Sequence, residues 1–354
     1  MHKRLLIALL KYGLGIGLLA WVIYRNWHGE DGAIGLADAL QQEIHYGPLL
    51  LAALICLCSV LLTFVRWYIL VRAQDLPLTP ADALRWGLVG YFFNTFLPGS
   101  VGGDVVKATY IARAQSRRTV AVATVLLDRA VGLCGLFWLA AILGAIFWLS
   151  GALHDLAQTD LAQTTLETIV IGSIGIMTAS VLFWLILGFL SNVRAERIAG
   201  GLGRVPKVGH ALAEFWRAVW MYRCRGRSIA VALTLAIIGH AGFVLVFFFA
   251  AQTLTDAREI PSAATHFLLV PVGMTIRAGF PAPGGVGGAE YAFGKLYELL
   301  GYRAAYGVLG SLTYRVIEWV LGFGAYLVYL RMKPQLAVAS QEKAEAMAAA
   351  PGTA

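Results

Sequence analysis

Phe96-Leu97-Pro98-Gly99-Ser100-Val101-Gly102-Gly103-Asp104 and Ala282-Pro283-Gly284-Gly285-Val286-Gly287-Gly288-Ala289-Glu290 are two versions of one short motif, the second carrying its carboxylate one place later. Each lies in the middle of an apolar segment, 81–116 and 261–300, and splits it, because proline and a run of glycines stop a helix. The likeness continues beyond the motif: the interval from Asp104 to Arg129 is the same as the interval from Glu290 to Arg315. A shared motif followed by a shared spacing marks an internal duplication.

Composition sets the solvent in which this duplication folds. Of 354 residues, 59% are apolar and 14% are charged, too few polar side chains to cover a water-soluble body of that size. Mean hydropathy is +0.71. No alternating strands suggest a barrel, so helices are the means of crossing a bilayer. Six full crossings are expected, at roughly 5–24, 48–71, 119–149, 168–190, 228–252 and 304–330. The first reads as a retained helix because Lys11 interrupts its apolar run and no cleavage site follows, with Trp21, Tyr24 and Trp27 as an interfacial belt.

The net charge of +8 excludes little by itself, because its basic residues gather in alternate loops, a topology signal and not a nucleic-acid face. Residues 191–227 carry Arg194, Arg197, Arg204, Lys207, Arg217, Arg223, Arg225 and Arg227 and are expected to be cytoplasmic, drawn to anionic lipid as a surface helix. Residues 25–47 and 150–167 hold one arginine and no Lys or Arg respectively, and are expected outside. Both termini then fall in the cytoplasm of a bacterial inner-membrane protein. The two split segments go in and come back, the first from the cytoplasm and the second from outside, with Lys295 and Arg303 a mild violation of the charge rule. The expected fold is therefore an all-α polytopic membrane protein with about six full transmembrane helices and two re-entrant helical hairpins in an inverted repeat. Full spanning by 81–97 and 262–280 would raise the count to eight. The membrane domain covers 1–333, with repeat halves of about 1–150 and 168–330, and the Ala-rich tail 334–354 is expected to be disordered or frayed helix.

Broken helices expose backbone amides, and at membrane depth those amides need protein, water or a polar ligand as partners. Successive amides leading into a helix N-terminus suit an anion such as a lipid phosphate. The bland alternative is that the glycines merely let hairpins pack. The candidate substrate-binding residues are Asn94, Pro98, Gly99, Gly102 and Gly103 at the first tip, and Pro283, Gly284, Gly285, Gly287 and Gly288 at the second. Asp104, Asp128, Arg129, Arg277, Glu290, Arg315 and Glu318 are charges in or beside apolar segments, where each needs a partner or a wet cavity. Asp104 and Glu290 would repel phosphate, so helix capping or pairing with Arg129 and Arg315 is expected of them. The arginines, including Arg66 and Arg277, are the better oxyanion ligands. Arg315 and Glu318, three apart on a helix, offer a simpler mutual pairing. His240 and His266 read as satisfied polar packing before proton relays. Cys56, Cys58, Cys134 and Cys224 form no CxxC pair, and neither disulfide, metal nor cofactor is expected.

Asn94 with Leu97-Pro98-Gly99, then Gly102-Gly103-Asp104, Asp128-Arg129, and Pro283-Gly284-Gly285-Val286-Gly287 with Glu290 resemble the lysylphosphatidylglycerol synthase transmembrane-region family over about residues 48–330. In the multiple peptide resistance factors such a region is joined to a cytosolic aminoacyl-transferase domain and moves aminoacylated phospholipid across the bilayer. About 20 polar residues after the last crossing leave no room for that domain, so a stand-alone form is expected, and not an enzyme. The resemblance implies a flippase or scramblase-like carrier for an anionic phospholipid, an aminoacyl-lipid or a polyprenyl-phosphate-linked glycan. The GxxxxGK(S/T) phosphate loop is missing, so uphill movement would draw on an ion gradient or a partner. The alternative is a scaffold or accessory subunit for a lipid-modifying or glycosyl-transferase enzyme, docked through 191–227. A membrane-embedded lipid-modifying enzyme ranks last, because no Ser/His/Asp set or metal cluster stands out. Membrane lipids are the expected partners, with a lipid-modifying enzyme as a further one and no nucleic acid.

Overall fold

A computed structural model of the chain describes residues 2–28, 35–97, 102–157, 159–206 and 208–349, and among them there are helices and connections but no strand. In chain order the helices are α1 (His2–Asn26), the short α2 (Leu36–Ala39), α3 (Tyr46–Ala73), α4 (Pro80–Phe96), α5 (Gly102–Ala114), α6 (Arg118–Leu149), the short α7 (Ala152–Leu156), α8 (Asp160–Phe189), α9 (Asn192–Gly203), α10 (Gly209–Met221), α11 (Gly226–Ala251), α12 (Ala263–Gly279), α13 (Gly288–Leu299) and α14 (Ala304–Ala349). Single tight turns at Tyr222–Arg225 and Pro283–Gly285 join α10 to α11 and lie between α12 and α13.

Among the described residues, four stretches are long and apolar enough to cross a hydrocarbon core: α3, α6, α8 and the run Gly209–Ala251 that ends in α11. Each of the six expected crossings coincides with one helix, α8 and α11 closing one position before the expected end. On α8 many large apolar side chains point outward, with Ile186 67% and Phe189 85% exposed, an arrangement that lipid tails accept and water does not. The chain is an all-α, multi-pass membrane protein.

Both split segments are helical hairpins, α4 with α5 and α12 with α13. Their first helices start alike, on a hydroxyl that accepts a backbone N–H: Thr79 Oγ1 from Asp82 at 3.1 Å, and Ser262 Oγ from Thr265 at 3.2 Å. Their second helices are short. At 1.5 Å per residue the 13 residues of α5 reach about 20 Å and the 12 of α13 about 18 Å. The duplication seen in the motif extends to helix boundaries: the interval between the starts of α5 and α13 (Gly102, Gly288) equals that between the starts of α6 and α14 (Arg118, Ala304). The repeating unit is therefore α3 to α6 and α11 to α14, with α1 and α8 outside it.

The two units run in opposite directions. The start of α3 meets the end of α11, where His45 N donates to Thr253 O at 2.9 Å. At the other end Tyr222 Oη donates to Leu70 O at 2.7 Å, and Gln74 Nε2 to Ala218 O at 2.9 Å. Small residues let these antiparallel helices close on each other, as van der Waals packing in a bilayer demands. A Cβ added at Gly242 on α11 would lie 2.1 Å from Ser59 Oγ on α3. Each unit then hands its hairpin to the other: α4 packs on α14, and α12 on α6.

The basic segment 191–227 is a pair of short helices, α9 against α10, tied by Trp216 Nε1 to Ala195 O at 3.0 Å and by Arg217 to both carboxylate oxygens of Glu196. That hydrogen bonding holds the Glu196 carboxyl below its usual range. Of the two expectations for the tail, disordered or frayed helix, residues up to Ala349 take the helical one and continue α14, which differs from a wholly disordered tail. Its Ala, Gln, Glu, Lys and Met content explains the difference, because these are strong helix formers and loop-like composition is lacking.

Gly103 is where α5 touches α4 most closely: an added Cβ would stand 1.8 Å from Gly90 O and 2.7 Å from Asn94 N. Backbone cannot step aside as a flexible side chain does. Gly103→Ala is expected to destabilise the protein by about 1–3 kcal/mol, read as a lower melting temperature in detergent. Gly172→Ala on α8, with nothing within 4 Å of its added Cβ, should leave the melt unchanged.

Candidate functional site

The hairpin tips are held by side chains that satisfy the broken backbone. Asn94, near the end of α4, accepts from Gly103 N at 2.8 Å and donates to Asp104 at 3.4 Å. Arg129 on α6 closes the other side of that carboxylate at 2.6 Å. Pro98 and Gly99 of the candidate set lie outside the described residues.

At the second tip Gly284, Gly285 and Gly287 take φ of 54°, 67° and 82°, values that a side chain would strain. Glu290 Oε2 accepts from Gly287 N at 2.7 Å, and its other oxygen takes Arg315 Nε and Nη2 at 2.9 and 2.7 Å and Ser311 at 3.2 Å. Gly284 O accepts from Arg315 Nη1 at 3.0 Å and from Arg277 Nε at 3.1 Å. Both carboxylates therefore sit on the arginine that follows at the repeated interval, as the spacing suggested, and Glu290 also caps its helix. The expected pairing of Arg315 with Glu318 is corrected. Glu318 takes Arg277 Nη2 at 2.5 Å, while the Arg315 nitrogens donate to the second tip. Side chains on an α-helix three apart share a face, but here the facing elements offer nearer oxygens.

Between the tips lies a cavity of about 310 Å³. It is lined by Asn94, Thr95 and Asp104 from the first hairpin and by Arg277 and Gly284 from the second, with Arg66, Arg129 and Glu318 from the full-length helices. Of the candidate residues, Gly102, Gly103, Pro283, Gly285, Gly287, Gly288, Glu290 and Arg315 do not line it. They build the tips behind it.

Two charged lining residues are missing from the set drawn from sequence. Asp128, noted there only as a buried charge, accepts from Arg66 Nε at 2.8 Å and pairs with Lys107 Nζ at 3.4 Å. Lys107 also lies 4.0 Å from the centre of the Trp67 ring, a cation–π contact strengthened by desolvation. A signal was present: Lys107 stands one helical turn after Asp104, between Val106 and Ala108, as isolated in apolar sequence as the arginines. His240 Nε2 donates to Gly132 O (2.9 Å), and His266 Nδ1 donates to Ser262 O while its Nε2 meets Tyr297 Oη, so each ring has a polar partner.

The lining charges do not balance. Arg66, Lys107, Arg129 and Arg277 face Asp104, Asp128 and Glu318, four cations against three carboxylates, one of them shared by two cations. In a low-dielectric setting a net positive charge favours an anion in the cavity. The guanidinium groups supply the forked donors that phosphate or carboxylate accepts.

Residues 8–325 match the family described as the lysylphosphatidylglycerol synthase TM region, and the chain belongs to that family. It is also 30% identical over 117 residues to a UPF0104 membrane protein of Pyrococcus horikoshii, an alignment that covers 32% of this chain and 34% of the relative. The match thus spans about a third of that relative's length. No solved structure matches.

The two repeat-related ion pairs differ in burial. Side chains of Glu290 and Arg315 are 0% and 4% exposed, those of Asp104 and Arg129 14% and 35%. Arg315→Met, which leaves Glu290 charged and sealed, is expected to cost about 3–5 kcal/mol of stability. Arg129→Met should cost clearly less, because Asp104 and Arg129 are not sealed off as Glu290 and Arg315 are. Parallel thermal melts of the two variants check the order, and an equal loss in both would contradict it.

Proposed function

We propose that this protein carries an anionic lipid headgroup across a bacterial inner membrane, as a flippase or scramblase-like carrier. The observation that carries the reading is the cavity between the hairpin tips, with its one surplus cation and its guanidinium-rich lining. The substrate would be an anionic phospholipid, an aminoacyl-lipid or a polyprenyl-phosphate-linked glycan, its phosphate held among Arg66, Lys107, Arg129 and Arg277 while its tails stay in lipid. Family membership supports a lipid-related role.

In this reading α4–α5 and α12–α13 are re-entrant hairpins that gate alternately. Lengths of about 20 and 18 Å for α5 and α13 support this, being short of the roughly 30 Å hydrocarbon core. The basic segment lies in the cytoplasm by the positive-inside rule, with both termini. No chemical step is proposed. The cavity carboxylates are engaged by cations, a poor setting for a general acid or base but a good one for pairs that open and re-form around a ligand. Movement against a gradient would be driven by ions or a partner.

A second reading, a scaffold for a lipid-modifying or glycosyl-transferase enzyme, is favoured by the exposed Arg194, Arg197 and Arg204 on and beside α9. One experiment separates the two. The protein is reconstituted in liposomes, and leaflet exchange is followed for a panel of headgroup-labelled lipids. Transport predicts exchange of at least one anionic lipid, reduced about tenfold by Arg66→Ala or Arg277→Ala, since a lost charged hydrogen bond is worth on the order of 1.5–3 kcal/mol. Arg194→Gln/Arg197→Gln/Arg204→Gln should then change nothing. Exchange that the protein leaves unaltered for every lipid ends the carrier reading.

A further inference from the structure

Asp104 lines two spaces. Besides the central cavity it closes the deep end of a lateral groove of about 640 Å³ between α5 and α6. The groove walls are apolar, from Val105 and Ala108 on α5 and Val122, Val125 and Leu126 on α6. Val105 is 61% exposed and Leu126 48%, so the groove faces outward, into lipid if the helices around it cross a bilayer. At its other end stand Arg113 and Arg118, both exposed and neither in an ion pair among the described residues. Gln115 Nε2 to Pro77 O and Arg117 Nη1 to Gln74 O place that end on the face of the basic segment, to which Gln74 is tied through Ala218.

The repeat supplies a counterpart. Between α13 and α14 is a groove of about 340 Å³ lined by Glu290, Tyr291, Gly294, Lys295, Ala304 and Val308. At the interval that relates the two units, these are the equivalents of Asp104, Val105, Ala108, Thr109, Arg118 and Val122, all lining the first groove. The two differ in cover. Trp21, Val22 and Arg25 of α1 line the second groove, with the Trp21 ring 6.1 Å from that of Tyr291. α1 is seated firmly, since a Cβ on Gly15 would lie 2.5 Å from Ala282 Cβ. Among the described residues the first groove has no such cover, and its ion pair is the exposed one of the two. Arg113 and Arg118 are not repeated position for position, Leu299 and Ala304 standing at the equivalents, although Arg303, the equivalent of Arg117, also lines the second groove.

From these observations we infer that the α5–α6 groove is a phospholipid port: Arg113 and Arg118 hold the phosphodiester at the basic face, an acyl chain lies along Val105, Val122 and Leu126, and the Asp104–Arg129 pair is the door to the central cavity. The α13–α14 groove is the matching port on the opposite face, closed in this conformer by α1. Charge complementarity selects the occupant, because apolar walls ending in two uncompensated guanidinium groups fit a phosphodiester on a hydrocarbon tail better than a protein helix or a free anion. The port rests on the carrier reading for its purpose, though its occupancy does not depend on transport.

The full chain, reconstituted in liposomes with phosphatidylglycerol bearing a photoreactive diazirine on one acyl chain, tests this. Irradiation and peptide mapping should place adducts on Val105, Val122 or Leu126 in preference to the equally lipid-exposed Ile171 and Ile186 of α8. Arg113→Gln/Arg118→Gln should lower groove adducts about tenfold, and Val122→Trp, which fills the groove, should remove them. Adducts spread evenly around the belt, or unchanged in both variants, would overturn the port. Groove adducts without leaflet exchange of any lipid would leave the port standing and remove the carrier. Exchange with adducts elsewhere would do the reverse.

Discussion

The structure depends on one constraint: a charge taken into an apolar phase must bring its partner with it. Translocon scales put an unpaired charge at the bilayer centre at roughly 2.5–3.5 kcal/mol, and this chain places several in that setting. Asp104 with Arg129 and Glu290 with Arg315 meet that constraint across an interval long enough to tie a hairpin to the full-length helix that follows it. Each pair thereby ties a short helix to the long one that follows it. The backbone at the second tip is held the same way, with Gly284 O taking two guanidinium groups and Gly287 N a carboxylate.

Duplication in opposite orientation then does more than double the pattern. Antiparallel α3 and α11 form the central contact, and each unit lends its hairpin to the other, so the two tips meet around a shared space. Neither unit alone encloses that cavity: Asp104 and Arg129 come from one, Arg277 and Glu318 from the other. The parts that break the symmetry lie at the two lateral grooves. α1 has no counterpart in the first unit and covers the second groove, while Arg113 and Arg118 have no counterpart in the second unit and open the first.

The ion pairs of the cavity are not all equally satisfied. A buried carboxylate shared by Arg66 and Lys107 leaves each cation partly satisfied, so an incoming anion can exchange for it without stranding a charge. The Glu290–Arg315 pair, by contrast, is sealed, and α1 residues line the groove beside it. The two copies of one interaction thus differ in burial, one exposed in part and the other sealed.

Much of this was legible in the amino-acid order. Apolar run lengths determined the long helices, the proline and glycine clusters determined where two of the segments break, and the repeated carboxylate-to-arginine interval determined which arginine each carboxylate meets. Those features are local or periodic, and one chain displays them without folding. Tertiary structure alone decided that Arg277 and not Arg315 neutralises Glu318, that Lys107 and Asp128 belong to the cavity, and that eight of the candidate residues stand behind it. Such choices turn on which helix faces which across the bundle, a matter of small displacements between elements far apart in the chain, and no spacing within one helix encodes it.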